Sequence, residues 1–209
     1  MIKKHLKLLI ITTIIILLPI AAGLILWQQL PEQVPTHWNI KGEVDGWASK
    51  SFVVFALPAI LAAAQWFCLA ITAADPKRKN HTDKMMSLVL WIIPLFSVVL
   101  NVLTYATALG QKLRIDLIMP MFMGVLFVII GNYLPKCKHN YTVGIKISWT
   151  LNSEENWNKT HRLAGWVWTI CGLLMIPTAF VGFWAFIAIT LVMVIVPVIY
   201  SYMLHRKGI

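Results

Sequence analysis

Apolar residues along this chain gather into six runs, each about the length of a bilayer-spanning helix: Leu8–Gln29, Phe52–Ala73, Met85–Leu109, Ile115–Tyr133, His161–Phe180 and Phe183–Leu204. A helix of roughly 20 mainly apolar residues crosses the hydrocarbon core. The pattern therefore predicts an all-α membrane protein of six transmembrane helices. The last two runs meet at Val181-Gly182, which predicts a tight helical hairpin. The first run follows a basic start as a signal peptide would, but it is long for one and lacks a small-residue cleavage site, so it reads as a retained helix.

Only two polar stretches are long. The first, LPEQVPTHWNIKGEVDGWASK, covers Leu30–Lys50. Pro31 and Pro35 each fix a backbone angle and favour extended backbone just before them. Asp45-Gly46 is a common turn pair. The stretch thus predicts an ordered loop holding His37, Trp38, Asp45 and Trp47. The second stretch lies between Leu134 and Thr160. Within it YTVGIKISWTL alternates, with Tyr141, Val143, Ile145, Ile147, Trp149 and Leu151 on one side, predicting a half-buried extended segment. Ser153 before Glu154 and Glu155 is a helix-start signal. Trp157, His161 and Gly165 then recur every fourth residue on one helix face. Near a span end, the tryptophans, His161 and Arg162 also suit plain interfacial anchoring.

Composition agrees with lipid as the main solvent. The chain is 59% hydrophobic and 12% charged, with mean hydropathy +0.74, against roughly 25% charged residues in a soluble domain. Its net charge of +10 would suggest nucleic acid in a soluble protein, but here it sets topology. Of the 18 Lys and Arg residues, fourteen fall on the side of the termini, the Lys77–Lys84 loop and the Lys136–Arg162 loop; four fall opposite. Basic residues stay inside, so both termini are expected in the cytoplasm, with the 30–51 loop outside and the 134–160 loop inside. The sequons at Asn80, Asn140 and Asn158 are then cytoplasmic and carry no glycan. The natural division is a two-helix unit over 1–73 and a four-helix unit over 74–209.

Within the spans the polar residues are few: Thr12, Thr13, Gln65, Asn101 and Asn132. Ion-coupled transport usually leaves ionisable residues at membrane depth, and none is found there. His37 and Asp45 alone do not complete a zinc site, which needs at least three protein ligands. No metal or other cofactor is expected. The three cysteines, Cys68, Cys137 and Cys171, read as reduced.

The stretch GNYLPKCKHNYTVGIKISWTLNSEENWNKTHRLAGWVW resembles the signature of the SdpI family of bacterial membrane proteins. Gly131-Asn132, Pro135, Lys138, Asn140, Gly144-Ile145, Trp149-Thr150, Glu154, Trp157, His161-Arg162 and Gly165 carry the likeness. The family pattern has an Arg-Thr-Pro-Trp-like stretch where Lys146-Ile147-Ser148 stand here. Pro31, Pro35, His37, Gly42, Asp45-Gly46, Trp47 and Lys50 resemble the small domain of unknown function that often precedes it. The resemblance implies a multi-pass plasma-membrane protein without catalysis. The family's best-understood member confers immunity to a secreted antimicrobial peptide and holds a transcriptional repressor at the membrane. On that basis His37, Trp38, Asp45 and Trp47 are the expected ligand site outside. Asn140, Gly144, Lys146, Trp149, Glu154, Trp157, His161 and Arg162 are the expected partner site inside. The expected partners are the lipid bilayer, an antimicrobial peptide and a repressor, with no direct contact to nucleic acid. Two other readings stay open from the residues alone. One is a transporter of small molecules or peptides. The other is a membrane enzyme with His37 as general base oriented by Asp45.

Overall fold

A computed structural model describes residues 2–209. The chain is mostly helical: α1 Ile2–Ile25, α2 Leu57–Ala74, α3 Asp83–Ala108, α4 Ile115–Tyr133, α5 Ser148–Asn152, α6 Glu154–Met175, α7 Thr178–Val181 and α8 Phe183–Arg206. Its strands are β1 Gln33–Trp38 and β2 Val44–Ser49. Among the described residues five helical segments are long and apolar enough to cross a membrane: Lys4–Ile25, Phe52–Ala74, Asp83–Ala108, Ile115–Lys136 and Phe183–Arg206. The fifth apolar run lies in α6 and α7. The early turns of α6 carry Glu154, Glu155, Lys159 and Arg162, which shortens its apolar part.

The chain forms two compact units. One comprises Met1–Ala73 and Met86–Ile115; the other, Ala74–Met85 and Asp116–Ile209. In the first unit, α1 is joined to its neighbours by hydrogen bonds at membrane depth. Gln65 Nε2 donates to Thr12 Oγ1 over 2.6 Å, and Trp66 Nε1 donates to Thr13 Oγ1 over 3.1 Å. From α3, Ser97 Oγ donates to the Ile16 carbonyl and Tyr105 Oη to the Pro19 carbonyl. Pro19 interrupts the α1 ladder, and in lipid such backbone needs partners from neighbouring helices. A π-helical turn over Phe52–Ala56 leads into α2. Pro58 in the next turn has no N–H to close the ordinary bond to Val54, which gives the wider turn a local cause.

In the second unit α4 and α6 run antiparallel with a glycine seam. A Cβ on Gly124 would lie 2.7 Å from the Gly172 carbonyl oxygen, and a Cβ on Gly172 2.7 Å from that of Gly124. One on Gly131 would lie 2.7 Å from the Thr169 nitrogen and 3.0 Å from the Gly165 oxygen. Such small residues let helix backbones approach within a membrane. The α7–α8 junction turns at Gly182, with φ of 119°, as the sequence predicts for the last two apolar runs.

Candidate functional sites

The 30–51 stretch is ordered as a two-stranded antiparallel hairpin. Its turn differs from the expected one. Asp45-Gly46 lies inside β2, and the chain reverses at Asn39–Glu43 instead. Asn39 decides this. Its Oδ1 accepts the backbone N–H groups of Lys41 and Glu43, at 2.8 and 3.1 Å, while Gly42 takes φ of 77°. Such an Asx turn competes successfully with the Asp-Gly pair. Gly46 instead makes room across the ladder, where it pairs with His37, whose Cβ would sit 2.8 Å from any Cβ added at Gly46.

An isolated hairpin is marginal in water, so the base of this one is anchored. Leu30 and Val34 pack with Val53, Val54 and Tyr105 in a buried cluster. Lys50 completes the anchor, a role that nothing local in the sequence marks. Its ammonium donates to the Trp27 and Leu30 carbonyls at the end of α1, at 3.3 and 3.2 Å. It also pairs with Glu32 at 2.8 Å and sits 4.8 Å from the centre of the Trp27 ring. A buried cation thus satisfies carbonyls that a helix end leaves free.

His37 and Asp45 do come together, with Nδ1–H donating to Oδ1 over 2.5 Å. Their side chains are 72% and 43% exposed, so solvent screens the pair. Among the described residues no group of three metal-ligating side chains forms. Trp47 is 56% exposed, whereas Trp38 is half-buried and its indole N–H has no acceptor.

The second region is a module in which residues 137–161 fold against Asp75–His81. Its alternating segment is not a strand. Residues 141–144 bend, and Ser148–Asn152 form the short helix α5. Side-chain bonds to the backbone override the period-two pattern. Asn140, fully buried, uses every polar site: Nδ2 donates to the Lys138 and Val143 carbonyls, and Oδ1 accepts the Thr142 and Val143 N–H groups. Thr150 Oγ1 donates to the Ile145 carbonyl over 2.7 Å and accepts the Ile147 N–H over 3.2 Å. Gly144 holds φ of 125°, where a Cβ would meet His161 Nε2 at 2.5 Å and Trp157 ring carbons at 3.0 Å.

The helical face expected from Trp157 and His161 forms, and it points inward. Ser153 caps α6 by accepting the Asn156 N–H. Trp157 and His161 stack with ring centres 4.0 Å apart. Trp157 Nε1 donates to the Cys137 carbonyl over 2.7 Å. His161 Nε2 accepts the Ile145 N–H over 2.9 Å, so its proton sits on Nδ1 and donates to the Trp157 carbonyl. Burial pushes the Cys137 thiol up to about 11, leaving it an inert core group that donates to the Val143 carbonyl.

The Asp75–His81 segment supplies partners that no sequence motif singled out. Asp75 and His81 side chains are fully buried. The Asp75 carboxylate accepts from Tyr141 N–H, Lys77 N–H, Thr142 Oγ1 and His81 Nε2. Burial opposes its charge, but these four donors outweigh burial and hold its carboxyl below the ordinary value. Lys77 Nζ donates to His139 Nδ1 over 2.9 Å, so His139 donates through Nε2 to the Leu151 carbonyl. Asn80 Nδ2 donates to the His139 carbonyl over 2.6 Å. Asn80 is therefore structural, a use its sequon pattern does not reveal. Asp75-Pro76 directly after an apolar run was the available signal.

Of the expected partner residues, Asn140, Trp157 and His161 are buried, while Lys146, Glu154 and Arg162 are exposed. Trp149 is half-buried, its ring 5.0 Å from that of Tyr202 and 6.1 Å from that of His205. Buried residues act on a partner through the shape they hold; only the exposed set and Trp149 are available for direct contact.

The hairpin and residues 137–161 fall in two separately matched segments. Residues 136–201 match the SdpI/YfhL protein family, and residues 14–62 match a domain of unknown function, DUF1648. Immunity protein SdpI of Bacillus subtilis (strain 168) is 27% identical over 192 residues, which cover 92% of this chain and 91% of that protein. No solved structure matches the chain. With both segments in order and several apolar helices around them, the chain is a multi-pass cell-membrane protein that is similar to the SdpI/YfhL family over residues 136–201.

Proposed function

We propose that this protein is a membrane immunity protein that protects its cell from a membrane-active antimicrobial peptide. The observation that carries the reading is the likeness to an immunity protein along 92% of the chain. In this reading α6 and α7 complete a sixth crossing and both termini lie in the cytoplasm. The hairpin then faces outward, and the 137–161 module faces the cytosol. A receptor of this kind works by binding and needs no catalysis, cofactor or direct contact with nucleic acid.

The hairpin offers Trp47 to a peptide arriving at the outer interface, with little ordering entropy left to lose. On the cytoplasmic side, Trp149, Lys146, Glu154 and Arg162 offer a mixed aromatic and charged surface to a transcriptional repressor. Coupling requires that peptide and repressor each prefer the same arrangement of helices.

The test is expression in a sensitive cell, followed by challenge with a panel of antimicrobial peptides. The reading expects protection against at least one of them. Trp149→Ala is expected to keep protection and lose repressor capture. No protection across the panel, with the protein present in the membrane, overturns the reading. For topology, cysteines placed at Lys79 or Lys138, both exposed, are expected to resist impermeant reagents in intact cells; labelling from outside overturns the orientation.

A further inference from the structure

Three of the chain's six histidines lie in the 137–161 module and the Asp75–His81 segment against it, and the side chains of all three are buried: His81, His139 and His161. Two of them are fixed as neutral by what they accept. His161 Nε2 accepts the Ile145 N–H, and His139 Nδ1 accepts from the Lys77 ammonium, each over 2.9 Å. An amide N–H and an ammonium can only donate, so each ring meets its partner through a nitrogen that carries no proton. A proton added there sets donor against donor and breaks the bond. At His139 it also sets an imidazolium against the Lys77 ammonium. His81 differs. Its Nε2 donates to Asp75 and its Nδ1 has no partner, so a proton on Nδ1 breaks nothing.

The surroundings do not offset this. His139 faces the Lys77 ammonium, the Tyr141 and Trp157 rings and the Leu151 carbonyl. His161 faces Trp157, Gly144 and His139. Asp75, the carboxylate of the facing segment, is committed to four donors, and Glu155 on α6 is paired with Lys159. Cys137, beside Trp157, is a neutral thiol, and Arg162 next to His161 adds positive charge. The two rings grip one stretch of chain. His161 holds Ile145, His139 donates to the Leu151 carbonyl, and Thr150 ties back to Ile145 and Ile147 between them. We infer that His139 and His161 form a proton-operated latch on residues 145–152: protonation of the two rings frees this stretch, and with it the surface of Lys146 and Trp149. That this surface is the repressor's rests on the reading above. The latch itself does not, and its test needs neither peptide nor repressor. Failure of the latch leaves protection to be decided by peptide challenge, and absence of protection leaves the latch standing.

A spin label on Lys146→Cys reports the stretch, because Lys146 is exposed. Cys68, which is exposed, is replaced by Ala, while Cys137 and Cys171 are buried and stay. The labelled full chain is placed in lipid nanodiscs at pH 7.5, with urea enough to make a small fraction of the label mobile. The closed stretch opposes the proton, so its stability is lost as pH falls below the value of the released rings. At pH 5.5 in the same urea, the ratio of mobile to immobile label is expected to rise about a hundredfold. Each imidazole, with an ordinary value of about 6.5 once released, contributes about tenfold. His161→Gln and His139→Asn each keep an oxygen acceptor where the bonding nitrogen stands and cannot take up the proton. Either alone is expected to cut the rise to about tenfold, and the two together to remove it. A rise below roughly threefold in the parent overturns the inference, as does a full rise that survives the double substitution. Should a variant be mobile without urea, the parent carrying nitrogen-15 histidine decides. Two imidazoles must gain protons as the label loosens, and loosening with both rings still neutral overturns the latch.

Discussion

The hairpin and the 137–161 module are both ordered, and they reach that order by opposite means. In the hairpin, backbone pairs with backbone along the Gln33–Ser49 register, and side chains such as Trp47 and His37 remain exposed. In the module, side chains hold the backbone, so Asn140, Trp157, His161 and Asp75 are consumed by internal bonds and buried. Order made by backbone pairing leaves the surface free to vary in chemistry. Order made by side chains ties composition to shape. Substitutions in the hairpin should therefore alter recognition more than stability, and substitutions in the module the reverse.

The largest expected effect is in the module. Gly144→Ala places a Cβ against His161 and Trp157 at a φ that only glycine adopts comfortably, at a cost of roughly 3 kcal/mol. Alkylation of Cys137, buried in the same cluster, is expected to accelerate at least a hundredfold. A rate unchanged from the parent protein would show that the module tolerates the substitution and that the contrast is false.

Asp75→Ala comes next. It strips four donors of their acceptor and should cost about 2–3 kcal/mol. Because the folded carboxyl sits below its ordinary value of 3.8, its contribution is present above that value and is lost as pH falls through the lower folded value. Thermal melts in detergent should show the parent's stability dropping at pH below about 4, with less of that drop in Asp75→Ala.

Lys50→Met keeps the aliphatic stem and removes the donors to Trp27 and Leu30. A loss of about 1 kcal/mol is expected, read as roughly fivefold faster amide exchange across 33–49 with the module unaffected. Trp47→Ala has the smallest structural effect, within about 0.5 kcal/mol for an exposed site. Its consequence is functional: survival under peptide challenge should fall while melting is unchanged. If Trp47→Ala melts like Gly144→Ala, the distinction between the two regions fails.

Periodicity made the helices legible, because lipid demands long apolar runs and the chain supplies them at Ile115–Tyr133 and Phe183–Arg206 almost residue for residue. The α6 start was legible too, since a cap acts within four residues: Ser153, then Asn156. The hairpin's order could be read from its prolines, but its turn could not, because Asn39 and Asp45-Gly46 are rival local signals and the Asn39 bonds prevail. The alternating segment misled for a different reason. Its conformation is set by side-chain bonds to the backbone, some local, from Asn140 and Thr150, and some between residues far apart in sequence, such as Asp75 to Tyr141 and His161 to Ile145. No local period encodes those. Lys50 was visible as part of a resemblance, yet its anchoring role depends on carbonyls twenty or more residues earlier.

The glycine seam between α4 and α6 has a mechanical consequence. Gly124 faces Gly172 and Gly131 faces Gly165, so each helix carries its two notches seven residues apart. Sliding one helix along the other by any shorter step drives a larger side chain into a notch. The next setting that aligns even one glycine pair lies about 10 Å away, at 1.5 Å per residue. The seam thus behaves as a pivot with a stop: it permits the two helices to scissor or roll about their contact and forbids them to telescope.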